Sequence, residues 1–352
     1  DGLTTTDGIT NAGNFSTDGG SIKLDGDYPT GTGNLALGNA ALDSGSLSGN
    51  FNTAIGSTSL TDNTSGASNV GVGYGSLANN TTGGSNIAVG VNSLEANQTG
   101  SNNVAIGTQA LDANTVDNNT AVGHNALLVN STGHSNTAYG KDSLKANTTA
   151  CNNTAFGTCS LLTNTTGTRN SAFGRNSLSA NTIGSCNTGD GMYSLYSNTE
   201  GNRNVAVGTC SLFTNTTASD NVAVGLCSLY NNTTGCFNVA VGPSSLICNT
   251  TGSRNTSVGR QSLHCNTTGG FNTALGIDSM YENTTGSSNT AVGRSAMLCN
   301  TEGVCNTAIG EQALGKNTTA NNNTAVGVFS MRCNTTGIQN TAIGDCTLAT
   351  ST

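Results

Sequence analysis

Twelve cysteines are the residues of this chain best suited to chemistry, and their spacing is ordered. Cys210 and Cys227 stand 17 residues apart, and so do Cys248 and Cys265. Cys299 and Cys305 flank one turn, and Cys151 with Cys159 and Cys333 with Cys346 are placed to meet around a corner. All ten are disulfide candidates. Cys186 and Cys236 have no evident mate in the chain and are candidates for links between chains. No C-x-x-C pair or four-ligand cluster is present, so zinc is not expected. Cysteines used in this way point to an oxidising compartment, with free thiols as the alternative.

Asparagine offers a second chemistry. N-x-[ST] sequons fall at Asn63, Asn80, Asn97, Asn130, Asn147, Asn164, Asn215, Asn232, Asn249, Asn266, Asn283, Asn317 and Asn334, with others at Asn14, Asn152, Asn255 and Asn322. One reading is a glycan coat on a secreted protein. The other is that N-T-T-G is turn chemistry and its Asn an internal ladder. Sugars on every unit, spaced by about one strand separation of ~4.8 Å, would collide, so a coat must be sparse.

Little else suggests catalysis. No Ser-His-Asp set, paired carboxylates or phosphate loop stands out, so no catalytic, cofactor or metal residue is expected. His124, His134 and His264 read as surface groups. With 11 Lys plus Arg and a net charge of -8, nucleic-acid binding is not expected. No apolar run approaches the roughly 18 residues of a membrane helix.

The cysteines and sequons belong to one repeated unit, N-[TV]-A-[VI]-G-x-x-S-L-x-x-N-T-T-G-x-x, numbered here 1 to 17. The glycine at position 5 recurs nineteen times, from Gly38 to Gly344. Its steps are 17 residues except for one of 18 (Gly38 to Gly56) and one of 16 (Gly107 to Gly123). A short period sustained this long means a solenoid, in which each unit is stable only against its neighbours. Trp is absent and aromatics are 4%, so a core of large side chains is excluded.

Within a unit, position 1 is always Asn, position 9 always Leu or Met, and position 3 nearly always Ala. Positions 1–5 read as a short strand and positions 8–11 as a second, with glycines at the corners. The expected fold is all-β: a parallel β-solenoid of nineteen coils. Strand side chains alternate, so positions 3 and 4 point to opposite faces. Neither face of the first strand carries charge apart from Asp190, which implies burial on both and a partner outside the chain. A symmetric bundle answers this, with position 3 or position 4 on the shared axis. Asp190 would then gather its own copies near that axis, as a bound-cation or shared-proton site or as a hydrated disruption.

The stretches N-T-A-I-G-S-T-S-L-T-D-N-T-S-G (52–66) and N-T-A-L-G-I-D-S-M-Y-E-N-T-T-G (272–286) resemble the repeats of tail-fibre-like proteins. They are also similar to the shorter head repeats of trimeric autotransporter adhesins. The resemblance covers 34–352 and implies a left-handed β-roll in a trimeric, extracellular fibre. The coiled-coil stalk, membrane anchor and self-cleaving chaperone of those families have no counterpart here. Residues 1–33 lie outside the repeat and read as a β-rich cap or connector; 34–352 form the repeat domain. Asp1 opens the chain and Thr352 ends it in mid-coil, suggesting a processed or partial chain whose last edge is covered by another segment or joined head to tail.

The function expected is non-enzymatic: a fibre on a virion or cell surface, acting as a spacer and binding a cell-surface glycan or receptor. Aromatics at position 10 (Tyr196, Phe213, Tyr230, Tyr281) are candidates for stacking on sugars. The alternatives are an ice- or carbohydrate-binding solenoid, with Thr columns at positions 13 and 14 for ice, and, more remotely, a polysaccharide-cleaving β-helix.

Overall fold

The structure is a computed structural model and describes residues 32–349. Nearly all of the proposed connector, 1–33, and the sequon at Asn14 lie outside the described residues. Nineteen strands of three residues each, β1 (Leu35–Leu37) to β19 (Thr341–Ile343), occupy positions 2–4 of successive coils. Each pairs in parallel with the next, like position on like position. The chain is a β-solenoid, as the period requires. Both irregular steps keep this register: Leu35 pairs with Thr53 across the long coil and Val104 with Thr120 across the short one. The residue missing from the short coil comes from the N-T-T-G turn, where the Val116 carbonyl takes over the hydrogen bonds that a position-15 carbonyl normally accepts.

The interior is narrow. Ala at position 3 and Leu or Met at position 9 form one continuous buried cluster along the rod. Where Ala is replaced by Gly71 or Gly189, the flanking position-8 serines bond each other, Ser59 to Ser76 and Ser177 to Ser194, both at 2.9 Å. A Cβ at either glycine would lie 2.5 Å from one of those hydroxyls.

Among the described residues, the second strand expected at positions 8–11 is absent. This stretch is a run of turns, with left-handed backbone at positions 7 and 9 (Thr58, φ 55°; Leu60, φ 52°) and again at 17 (Ser68, φ 60°). A left-handed residue disfavours a branched Cβ. Position 9 is accordingly Leu or Met and never Val or Ile, and position 17 carries no β-branched residue. The amides of this stretch still find partners in adjacent coils, as in Leu60 N to Ser76 O at 3.0 Å, so stacking is retained without strand geometry.

Position 5 turns the corner with φ near +130°, a region that suits glycine alone. A Cβ on Gly225 would also sit 2.7 Å from the Gly242 carbonyl carbon one coil on.

Candidate functional site

The alternation left open in the sequence is resolved by burial. Position 3 points inward, with Ala54 fully buried, and positions 2 and 4 point outward. The outward face is flat and aliphatic, with Ile106 40%, Leu275 47% and Ile343 71% exposed. Tyr139, Phe156 and Phe173 stack along it with ring centroids 4.7 and 5.5 Å apart. Asp190 follows them on β10 (Thr188–Asp190), exposed on the same face. It is the one formally charged residue among the position-2 and position-4 side chains of all nineteen strands.

The asparagine columns are internal. Each position-1 amide oxygen accepts the backbone N–H of the next position-1 Asn, an unbroken series from Asn34–Asn52 (2.8 Å) to Asn323–Asn340 (2.9 Å). Its Nδ2 donates to the position-15 carbonyl of its own coil, as Asn52 does to Gly66 at 2.9 Å, closing the coil. At position 12 the side chains bond each other: Asn215 Nδ2 donates to Asn198 Oδ1 (2.7 Å) and to Ala218 O (3.0 Å). This ladder breaks at the short coil, where Asn97 Oδ1 has no partner, and resumes from Asn114 to Asn130.

All thirteen position-12 sequons are thereby buried in the ladder. A glycan would replace an Nδ2 hydrogen that is in use and would need room that the packed interior lacks. Asn114, Asn181, Asn198 and Asn300 retain the Asn although their sequences are not sequons, so the column follows the ladder rather than the modification. Asn255 is buried in the position-1 series, whereas Asn152 and Asn322, at position 17, are exposed.

The cysteines are free thiols. Of the five expected pairs, two occupy the same position on adjacent coils: Cys210 with Cys227 at position 7 and Cys248 with Cys265 at position 11. Burial, then the charge and hydrogen bonding of Cys227, pushes the Cys210 thiol up; burial also raises Cys248, and burial followed by Cys248 and Glu282 raises Cys265. None of the five pairs is bonded, and the members of the other three do not share a position on adjacent coils. Cys299 is raised by burial first and faces Glu282 and Lys316, while Cys305 is exposed. Cys151 accepts the His134 N–H (3.5 Å), and Cys346 donates to Asp345 (3.5 Å). Cys236 accepts the Ser219 N–H at 3.4 Å, filling a position-16 role that Ser, Asn or Asp fills on other coils.

Two features were missed from sequence. Glu95 and Asp112, both at position 10 of adjacent coils, share a hydrogen bond. Burial first, then the Glu95 charge and that bond, pushes the Asp112 carboxyl up to about 6. Their 17-residue spacing was the available signal. At position 17, the Arg254 guanidinium lies 5.6 Å from the Phe237 ring and 5.2 Å from the Phe271 ring, an exposed cation–aromatic stack on consecutive coils. The position-10 aromatics Tyr196, Phe213 and Tyr230 stack on one another at 5.1 and 5.0 Å, which occupies the ring faces a sugar would need.

Among the described residues no group of three or more His, Cys, Asp or Glu is arranged to hold a metal ion, and no helix is long and apolar enough to cross a membrane. No family model matches this chain, and no curated protein matches it.

Proposed function

We propose that this chain is a non-enzymatic structural rod, a fibre or filament subunit displayed outside a cell or virion, whose first partner is further copies of itself. The observation that carries this reading is the outward strand face. Nineteen rungs of aliphatic, aromatic and threonine side chains, with one serine and one carboxylate among them, form a surface far longer than a monomer ordinarily leaves in water. At about 4.8 Å per rung and roughly 10 Å of width, it offers about 900 Å² per chain, comparable with one side of a standard interface. Three copies around a common axis, as the resemblance implies, would bury it.

In this reading the rod sets a distance and presents its variable positions, including the Phe237–Arg254–Phe271 stack, to a receptor or cell-surface glycan. Any glycan coat is confined to sequons outside the asparagine columns, such as the exposed Asn79, Asn118, Asn152 and Asn322 and the half-buried Asn231, together with sequons outside the described residues. The test is sedimentation of the full chain beside Val224→Lys, which places a charge on the outward face. The reading expects an oligomer for the parent chain and dissociation for the variant. A monodisperse parent monomer would sink it.

A second reading has one observation in its favour. Thr256, Thr273, Thr290, Thr307, Thr324 and Thr341 form an outward column on the flat strand face. A regular hydroxyl rank there suits ice better than the position-13 threonines, whose hydroxyls donate to the next coil, as Thr64 does to Thr81 O at 2.9 Å. Thermal hysteresis by the isolated chain would favour it.

A further inference from the structure

We propose that the stacked thiol pairs Cys210/Cys227 and Cys248/Cys265 each bind one soft, two-coordinate metal ion of the Cu(I) class between their sulfurs. The argument starts from the column. Cys210 and Cys227 have the same left-handed backbone, φ 56° and 53°, and the same hydrogen bond to the preceding coil, to Met192 O at 3.0 Å and Thr209 O at 3.1 Å. Cys248 and Cys265 likewise both donate to the following coil, to His264 O at 3.1 Å and Tyr281 O at 2.9 Å. Each pair is therefore related by little more than a translation of one rung, about 4.8 Å.

That spacing discriminates between two uses of the sulfurs. A disulfide admits a Cα spacing of about one rung but holds its Cβ atoms roughly 3.5–4.5 Å apart, so the two side chains must converge in a stack whose glycine and asparagine columns resist compression. Two metal–thiolate bonds placed in line, each at or slightly under the ~2.3 Å of a zinc–sulfur bond, span roughly 4.3–4.6 Å, close to one rung of the stack. Thiolate ligands select soft ions. The absence of any three-ligand group among the described residues disfavours an ion that demands tetrahedral coordination, such as zinc.

Binding is a proton exchange with no redox change. Two thiols and one Cu(I) give a linear dithiolate–Cu(I) anion and two protons, and both copper–sulfur bonds replace S–H bonds. Each sulfur must release its proton to bind the ion, so affinity should rise with pH.

The test is an anaerobic titration of the reduced full chain with Cu(I) against a Cu(I)-specific chromophoric chelator. Two tight equivalents per chain are expected. Cys210→Ser and Cys265→Ser should each remove one, and Cys186→Ser, at an exposed site, none. A variant-free measurement is iodoacetamide labelling of the parent chain with peptide mapping: Cu(I) should protect Cys210, Cys227, Cys248 and Cys265 selectively. Uptake unchanged in both pair variants, protection spread evenly over the twelve cysteines, or a native mass showing two hydrogens lost at each pair would overturn the proposal.

Discussion

Asn80 donates its side-chain Nδ2 to the Oδ1 of Asn63, one coil earlier, across 2.8 Å, and the same amide gives its other hydrogen to Gly83 O at 3.0 Å. Each position-12 amide beyond the ladder's ends and its one break is thus donor to the coil before it, acceptor from the coil after it, and clamp on its own turn. Only a carboxamide combines these roles at this length.

Asn198→Ala should therefore destabilise the rod by about 2–4 kcal/mol, because it leaves Asn215 Nδ2, Asn181 Oδ1 and the Gly201 carbonyl short of buried partners. Asn198 is not in a sequon, so no lost glycan can account for the effect. Denaturant unfolding together with hydrogen exchange of coils 181–215 measures it; a change below about 0.5 kcal/mol would refute the ladder's role.

Two glycines of one coil should respond differently to alanine. Gly225→Ala meets both a left-handed backbone (φ 129°) and the Gly242 carbonyl, and is expected to cost at least about 3 kcal/mol or to prevent folding. Gly235→Ala, at position 15, also brings a Cβ to 2.3 Å from the Gly252 carbonyl oxygen, but its backbone is not left-handed, so the neighbours need only shift and the cost should be smaller, about 1–2 kcal/mol. Ala150, Ala218 and Ala320 already occupy that position on other coils. Thermal melts of the two variants side by side give the comparison.

Leu229 is fully buried at φ 50°. Leu229→Met should be nearly neutral, since Met280, Met297 and Met331 occupy the same position. Leu229→Ile, close in volume, should cost about 2–3 kcal/mol, because the branched Cβ conflicts with the left-handed backbone in addition to the repacking. Equal stability of the two variants would show that volume alone governs position 9.

The Asp112 carboxyl is pushed up to about 6 in the folded chain, against 3.8 for an ordinary aspartate. Between those values the folded chain holds a proton that the unfolded chain has released. This contribution is therefore present in full at low pH and is lost as pH rises through about 6. The side chain is half-exposed, so after discounting for solvent screening the effect is about 1 kcal/mol. Melting at pH 5 should exceed that at pH 7.5, and Asp112→Asn should flatten the difference.

The chain's period made the solenoid legible, because a unit too small to bury its own core can only be ordered by stacking. The recurring Asn, Gly and Leu marked positions that no other residue fills in every coil. The left-handed turns at positions 7, 9 and 17 were not legible in the same way. Leu60 in a run of mixed polarity reads as a strand residue, and the exclusion of Val and Ile becomes meaningful only once its backbone angle is known. The sequons were ambiguous for a related reason: Asn-Thr-Thr satisfies a modification motif and a turn equally, and only depth inside the rod separates them.

The sequence alone determined that like residues stack on like, since a fixed repeat leaves each coil no better partner than its own copy. The tertiary structure decided direction. It turned Ala54 inward and Ile55 outward, and placed Asn63 inside. Those outcomes depend on how each corner bends the backbone, and the bend is settled by the hydrogen bonds and close contacts between neighbouring coils rather than by any residue's own preference.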